Sequence, residues 1–210
     1  MKYGLFLQIL CLTYFTSNQS ALSAQSQRIL IIESYHASAP WDNDYVRGIK
    51  NTLGDHHIYK RFQLDTKRLP ASAFKARTEL AWQTYQSFKP DLVFLGDDNA
   101  LSFMGPRLGK TTTPVVYLGI NRNPRDAGFT NYPNITGVLE RPILKRSIIE
   151  ISKILQNKID SILVLFDSSF SSHAVSSRSV AFGDKSEITL PNTRVTKVFI
   201  KTYRAWQRVL

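Results

Sequence analysis

The 210-residue sequence predicts an α/β protein built on a parallel sheet with helices on both faces. Three observations carry that expectation. Short apolar runs recur, RILIIES at 28–34, LVFL at 92–95, PVVYL at 114–118 and SILVLF at 161–166, each bounded by turn-forming residues as strands buried on both faces are. Stretches with apolar residues at helical spacing lie between them, and strand–helix alternation favours parallel pairing through right-handed crossovers. The third observation is chemical. The run 92–95 stops at Gly96 and is followed at once by Asp97, Asp98 and Asn99, side chains that favour helix starts. Polar groups and a helix N-terminus at the carboxyl edge of a parallel sheet occupy the place where open α/β sheets bind ligands.

Taken in order, the strand at 28–34 leads to a helix at 41–53, where Tyr45, Val46, Ile49 and Leu53 fall at helical spacing and Gly54 marks the stop. A second strand is expected at 59–66. Ser72 is placed to cap a helix whose face is Phe74, Ala81, Tyr85 and Phe88, ended by Pro90. After the strand at 92–95 come a short helix at 98–104, a strand at 114–118 and a surface loop at 119–134 rich in Gly, Pro and Asn. The segment 135–140 reads as a short strand leaving the first sheet. Pro142 suits the first turn of a long helix with the stripe Leu144, Ile148, Ile151 and Leu155. A strand at 161–166 ends in Asp167, Ser168 and Ser169, and a serine-rich segment leads to a strand at 194–200.

The pattern restarts after Glu140, which divides the chain into an N-terminal lobe, 25–140, and a second lobe, 141–210. Thr202 is placed to cap a helix carrying Tyr203, Trp206 and Leu210. Two strands and their helices do not cover both faces of a sheet, so the second lobe is expected to be truncated.

The first 24 residues have the order of a secretory signal. Lys2 is followed by an apolar stretch to Phe15 and by small polar residues, with cleavage expected after Ser23 or Ala24. Cys11, the single cysteine, follows Leu10 instead of a small residue and lies within the apolar part, so it does not resemble a lipid-attachment site. The mature chain is expected to be periplasmic, with no disulfide and no thiolate metal site. The formal net charge of +11 is spread along the chain without a run of five basic residues, and no nucleic-acid-binding motif accompanies it.

Gly109-Lys110-Thr111 fails as a phosphate loop, because only three residues separate Gly105 from Gly109 and the segment precedes a strand. His56-His57 has no third ligand at metal spacing. No Gly-x-Ser-x-Gly elbow and no nucleophile–base pair is visible, so no catalytic residue, metal or cofactor is assigned. Helix capping accounts for Asp97; Asp98 and Asn99 are left for a ligand, and the helix start would receive a carboxylate, a combination that fits an amino-acid-like zwitterion. After the first strand, Tyr35 and Trp41 are candidate aromatic walls and Ser34 a hydrogen-bond donor.

The segments RILIIESYHASAPWDNDYVRGIK, KPDLVFLGDDNAL, TPVVYLGINRNPRDAGF and NITGVLE, behind a signal peptide, resemble ABC-transporter substrate-binding proteins of the type I periplasmic-binding fold, with greatest similarity to the tryptophan- and tyrosine-binding subgroup. The resemblance implies two Rossmann-like lobes with a small molecule held in the cleft between them. It places Ser34, Tyr35 and His36, Asp97 to Asn99 and Gly119 to Asn121 on the cleft from the first lobe, Glu140 at the crossing, and Asp167, Ser168 and Ser169 on the cleft from the second. An ABC permease or a sensor kinase is the implied partner. A solute-binding protein for an ABC importer is thus the leading expectation, a ligand-sensing component of a signalling system the alternative, and an exported enzyme a third.

Overall fold

The computed structural model describes residues 25–156, 159–178, 185–190 and 193–209. The expected signal segment, 1–24, lies outside them. Five strands form the first sheet: β1 (Arg28–Glu33), β2 (Ile58–Gln63), β3 (Leu92–Gly96), β4 (Val115–Ile120) and β5 (Ile135–Leu139). All pair in parallel in the order β2-β1-β3-β4-β5. Helices α1 (Pro40–Leu53), α2 (Phe74–Phe88) and α3 (Asp97–Leu108) connect the strands.

The alternation of side chains along β1 builds two cores. Leu30 and Ile32 face a cluster with Ala81 and Phe88 of α2 and Leu101 and Met104 of α3. Ile29 and Ile31 face Val46 of α1, with Tyr45, Ile49 and Leu53 packed around it. Helices therefore cover both faces, as the continuous apolar runs require. At the end of α1, Gly54 takes φ +92° and its N–H reaches the Lys50 carbonyl at 2.8 Å.

Glu33, fully buried, ends β1 against a fork from Arg61, with Nε to Oε1 at 2.7 Å and Nη2 to Oε2 at 2.5 Å; Gln63 Nε2 adds a bond at 2.8 Å. This bidentate pair ties β1 to β2 just below the carboxyl edge.

The second sheet has three strands, β6 (Ser161–Asp167), β7 (Glu187–Leu190) and β8 (Thr193–Ile200), in the order β6-β8-β7. Helices α4 (Leu144–Ile154), α5 (Phe170–Arg178) and α6 (Tyr203–Val209) accompany it. The β6–β8 pair is parallel. The β7–β8 pair is antiparallel, which departs from the all-parallel expectation. Only two residues separate these strands, and antiparallel neighbours need no longer connection.

Other expectations change in detail. Ser72 lies in a 3-10 turn, Ala71–Ala73, and does not cap α2. Helix α3 runs on through Pro106 to Leu108. In α4, Leu144 and Ile148 pack on the second sheet, whereas Ile151 and Leu155 remain exposed. Thr202 caps α6 as expected, its Oγ1 accepting the Ala205 N–H at 3.1 Å.

Candidate functional site

In the strand order β2-β1-β3-β4-β5 the direction of winding reverses between β1 and β3, and the crevice outside the carboxyl ends of those strands is the binding position of such sheets. The residues that follow β1 and open α3 meet there. Ser34 fastens the two together: its Oγ donates to the Gly96 carbonyl at 2.7 Å and accepts the Ala100 N–H at 2.9 Å. The cap of α3 thus comes from Ser34, across the sheet.

Asp97 does not cap the helix through the N-cap position, which Gly96 occupies. Its backbone sits at φ +71°, a left-handed conformation that costs a non-glycine residue about 1–2 kcal/mol. This turn keeps its carboxylate at the mouth of the crevice. Tyr35 Oη donates to Oδ2 at 2.6 Å, and Ser171 Oγ of the second lobe donates to Oδ1 at 3.1 Å. Gly96 lets the chain turn here, since a Cβ at that position would lie 2.1 Å from the Tyr45 hydroxyl.

Asp98 and Asn99 serve the fold instead. Asp98 accepts the backbone N–H groups of Asn121 (Oδ2, 3.1 Å) and Arg122 (Oδ1, 2.9 Å), holding the loop after β4 against α3. Asn99 Nδ2 donates to Thr66 Oγ1 at 2.8 Å. The hydrogen bonds therefore reverse the roles expected for Asp97 and Asp98. The capping preference of Asp carries no information about which of two neighbours a distant loop will use.

A second inter-lobe contact lies beside Tyr35. Lys67 Nζ reaches Asp167 Oδ2 at 2.9 Å and Ser169 Oγ at 3.0 Å, and stands 5.5 Å from the centre of the Tyr35 ring. The Arg122 guanidinium lies over the Phe170 ring at 4.9 Å. Ser168 turns away, its Oγ bonded to the Ile200 carbonyl at 3.2 Å. His36 Nδ1 pairs with Ser38 Oγ within its own turn, and the structure does not bring it to the other candidates. Trp41, 45% exposed, stands edge-on to Tyr45 and against Gly119, whose φ is +68°.

On the crossing side of these contacts is a cavity of about 510 Å³, within the usual range of about 300–1,000 Å³ for small-molecule sites. Asn121 and Glu140, joined by an amide-to-carboxylate bond of 3.2 Å, form one wall. Residues 141–143, α4 and Val175 of α5 form the rest. Val175 lies four residues after Ser171, on the same helix face, so the cavity continues the interface that Ser171 begins.

Burial shapes the electrostatics. It pushes the Asp97 carboxyl up to about 6, against the Tyr35 hydrogen bond that lowers it and with the neighbouring Asp98 charge adding to the rise. Burial likewise raises Asp42 to about 7, although the Tyr35 N–H donates to it at 3.1 Å, and Glu33 pushes it further up. Asp98 is raised by burial too. For Asp167 burial acts upward, but the Ser169 and Ser172 hydroxyls and the Lys67 ammonium outweigh it and hold the group below the usual range. Among the described residues, no cluster of three or more His, Cys, Asp or Glu side chains is placed to hold a metal, and no helix is long and apolar enough to cross a membrane.

Lys67, Arg122 and Ser171 are not candidates by sequence, whereas Ser169, expected on the cleft, does meet Lys67. The run SSFSS after β6 reads as loop composition, and only the position of a helix start directly after a buried strand signals its part in the crevice.

No family model matches the sequence, and no curated protein matches it. Solved structures do match the fold. The ligand-free, open structure of a substrate binding protein with adhesive properties from Clostridium difficile superposes with a TM-score of 0.52 at 16% identity, over 87% of this chain and 60% of that one. This is a periplasmic-binding-protein fold. Two structures with lower scores are a solute binding protein of an ABC transporter from Rhodopseudomonas palustris (TM-score 0.47, 13% identity, 84% of this chain and 47% of that one) and an extracellular ligand-binding receptor from Verminephrobacter eiseniae (0.44, 15%, 88% and 54%). The chain spans 47–60% of the length of these proteins. At such identities the likeness concerns the fold alone, to which the crevice at Asp97 adds a site read from this chain's own residues.

Proposed function

We propose that the protein is an exported, periplasmic solute-binding protein that captures a small molecule between its two lobes for an ABC importer. The observation that carries the reading is the joint at the switch point. A strained, buried Asp97 from the first lobe is bound by Ser171 from the second, beside a cavity shared by both. Backbone strain of this kind is kept where a side chain must be aimed, and here it is aimed at the opposite lobe. Tyr35, Lys67 and Asp167 complete a polar hinge-facing rim, and opening or closing it changes access to the cavity.

A binding role fits these groups better than an enzymatic one. Ser171 is held by Asp97 and Tyr35, not by a histidine base, and Asp97 and Asp98 point to different partners, so they do not face each other across a reacting bond.

The test is a thermal-shift screen of small organic acids, amino acids, amines and sugars against the purified protein, followed by calorimetry. A ligand present at a hundred times its Kd is expected to add about 2.7 kcal/mol to stability. Small-angle scattering should then report a change in lobe separation, and Tyr35→Phe with Lys67→Ala should alter the affinity. A screen in which no compound raises the transition temperature, on a protein that unfolds cooperatively, would rule the reading out.

A further inference from the structure

The inter-lobe cavity has an uneven distribution of charge that narrows what it would hold. Its apolar surface comes from Ile143 on the crossing segment, Ile149 on α4 and Val175 on α5. Around that surface stand three cations, Arg141, Lys145 and Arg146. Among the described residues none of the three has a carboxylate within ion-pair distance, whereas Arg47, Arg61, Lys67, Arg68, Arg107, Lys153 and Arg194 all do.

Of the two carboxylates on the same wall, one is ion-paired and the other keeps its charge beside a neutral amide. Glu140 accepts the Asn121 side-chain amide at 3.2 Å, and Glu150 is paired with Lys153 at 3.2 Å. The cavity thus has an excess of positive charge next to apolar surface. No side chain caps the start of α4, where Leu144, Lys145 and Arg146 supply the first turn, so the positive end of that helix adds to the same field.

We infer that the cavity takes a monoanionic carboxylate on an apolar body, with the carboxylate among Arg141, Lys145 and Arg146 and the hydrocarbon or aromatic part against Ile143, Ile149 and Val175. A neutral molecule of the same shape gains the apolar contacts and forgoes the charge-assisted hydrogen bonds. A zwitterion brings its ammonium into a lining in which three cations outnumber two carboxylates, one of which, Glu150, is already paired with Lys153. This ligand class differs from the amino-acid-like zwitterion expected from the sequence, and it rests on the reading of the protein as a solute-binding protein.

Isothermal titration with matched probes tests it. The probes are 3-phenylpropanoate, 3-phenylpropanol and phenylalanine, with hexanoate and hexanol as a second acid–alcohol pair. At low ionic strength the acid of each pair should bind at least about tenfold more tightly than its alcohol, equivalent to about 1.4 kcal/mol. Phenylalanine should bind more weakly than 3-phenylpropanoate. Added salt should weaken the acids and leave the alcohols unchanged.

The double substitution R141Q/K145Q should weaken the acids by about tenfold while the alcohols keep their affinity, which shows that the cavity still forms. Equal binding of acid and alcohol, an unchanged acid affinity in the double variant, or no binding by any probe would each overturn the inference. A hit from the wider screen whose affinity depends on Tyr35 and Lys67 but not on R141Q/K145Q would leave the solute-binding reading standing while removing this ligand class. Absence of any hit at all would remove the reading itself.

Discussion

Asp98→Ala is expected to destabilise the protein by about 3–5 kcal/mol, more than the neighbouring Asp97→Ala. Asp98 is 1% exposed, and both of its carboxylate oxygens are used, one by the Asn121 N–H and one by the Arg122 N–H. Alanine leaves both amides without an acceptor, and an unsatisfied buried donor costs about 1–3 kcal/mol. It also frees the loop after β4, on which Asn121 stands at the cavity wall. Asn at this position keeps one acceptor oxygen, so Asp98→Asn should fall between Ala and the parent.

Asp97→Ala removes a hydroxyl contact from each lobe and the acceptor of the buried Asp98 N–H, although Tyr35 Oη and Ser171 Oγ lie 3.2 Å apart and can bond to each other instead. With one buried N–H orphaned where Asp98→Ala orphans two, its cost should be about 1–3 kcal/mol. Urea denaturation of the four proteins at pH 7 supplies the comparison. An Asp98→Ala protein within about 1 kcal/mol of the parent would show that the loop is held by something other than this carboxylate.

The contrast between these two residues marks how far the sequence can be read. Strand and helix positions are legible where burial on both faces writes a continuous apolar run, as in β1 and β3, and where a backbone rule marks an end, as Gly54 does for α1; the run of β6 marks a strand as well, although its residues stay partly or fully exposed. The carboxyl-edge location of Asp97, Asp98 and Asn99 follows from the same logic, because a buried strand followed by helix-starting residues has one placement in such a sheet. Their individual partners do not follow. Whether Asp97 or Asp98 meets the loop after β4 depends on a left-handed turn at Asp97, which side-chain chemistry permits without requiring. Lys67 and Ser171 are equally illegible, since each acts only through the approach of the second lobe. The antiparallel strand β7 is missed because its four residues, EITL, lie in a polar stretch too short for a periodic signal.

The other large effect is on pH dependence, and its direction is opposite to that of an ordinary surface-paired carboxylate. Asp97 and Asp42 are held at about 6 and about 7 in the folded protein, above the value of 3.8 that an unhindered aspartate has. Between pH 4 and 7 the folded state therefore keeps protons that the unfolded chain has released. The unfolded state binds fewer protons in this window, so stability falls as pH rises. Their contribution is fully present below about pH 4 and is lost once the pH has passed through the folded values. For Asp97, 4% exposed, the rise from 3.8 to about 6 corresponds to about 3 kcal/mol. Asp65 and Asp167 act the other way: their lowered values contribute stability at neutral pH that is lost as pH falls below the ordinary carboxylate range. The two trends together place maximum stability near pH 4, with a decline from there towards pH 7. Unfolding free energies from urea titrations at pH 4, 5, 6, 7 and 8 should trace that curve. Asp97→Asn keeps an acceptor for Tyr35 but carries no charge, so it should flatten the decline between pH 4 and 6 and equal or exceed the parent's stability at pH 8. A parent whose stability climbs steadily from pH 5 to 8, or an Asp97→Asn variant with the parent's slope, would show that this carboxylate is better solvated than its burial implies.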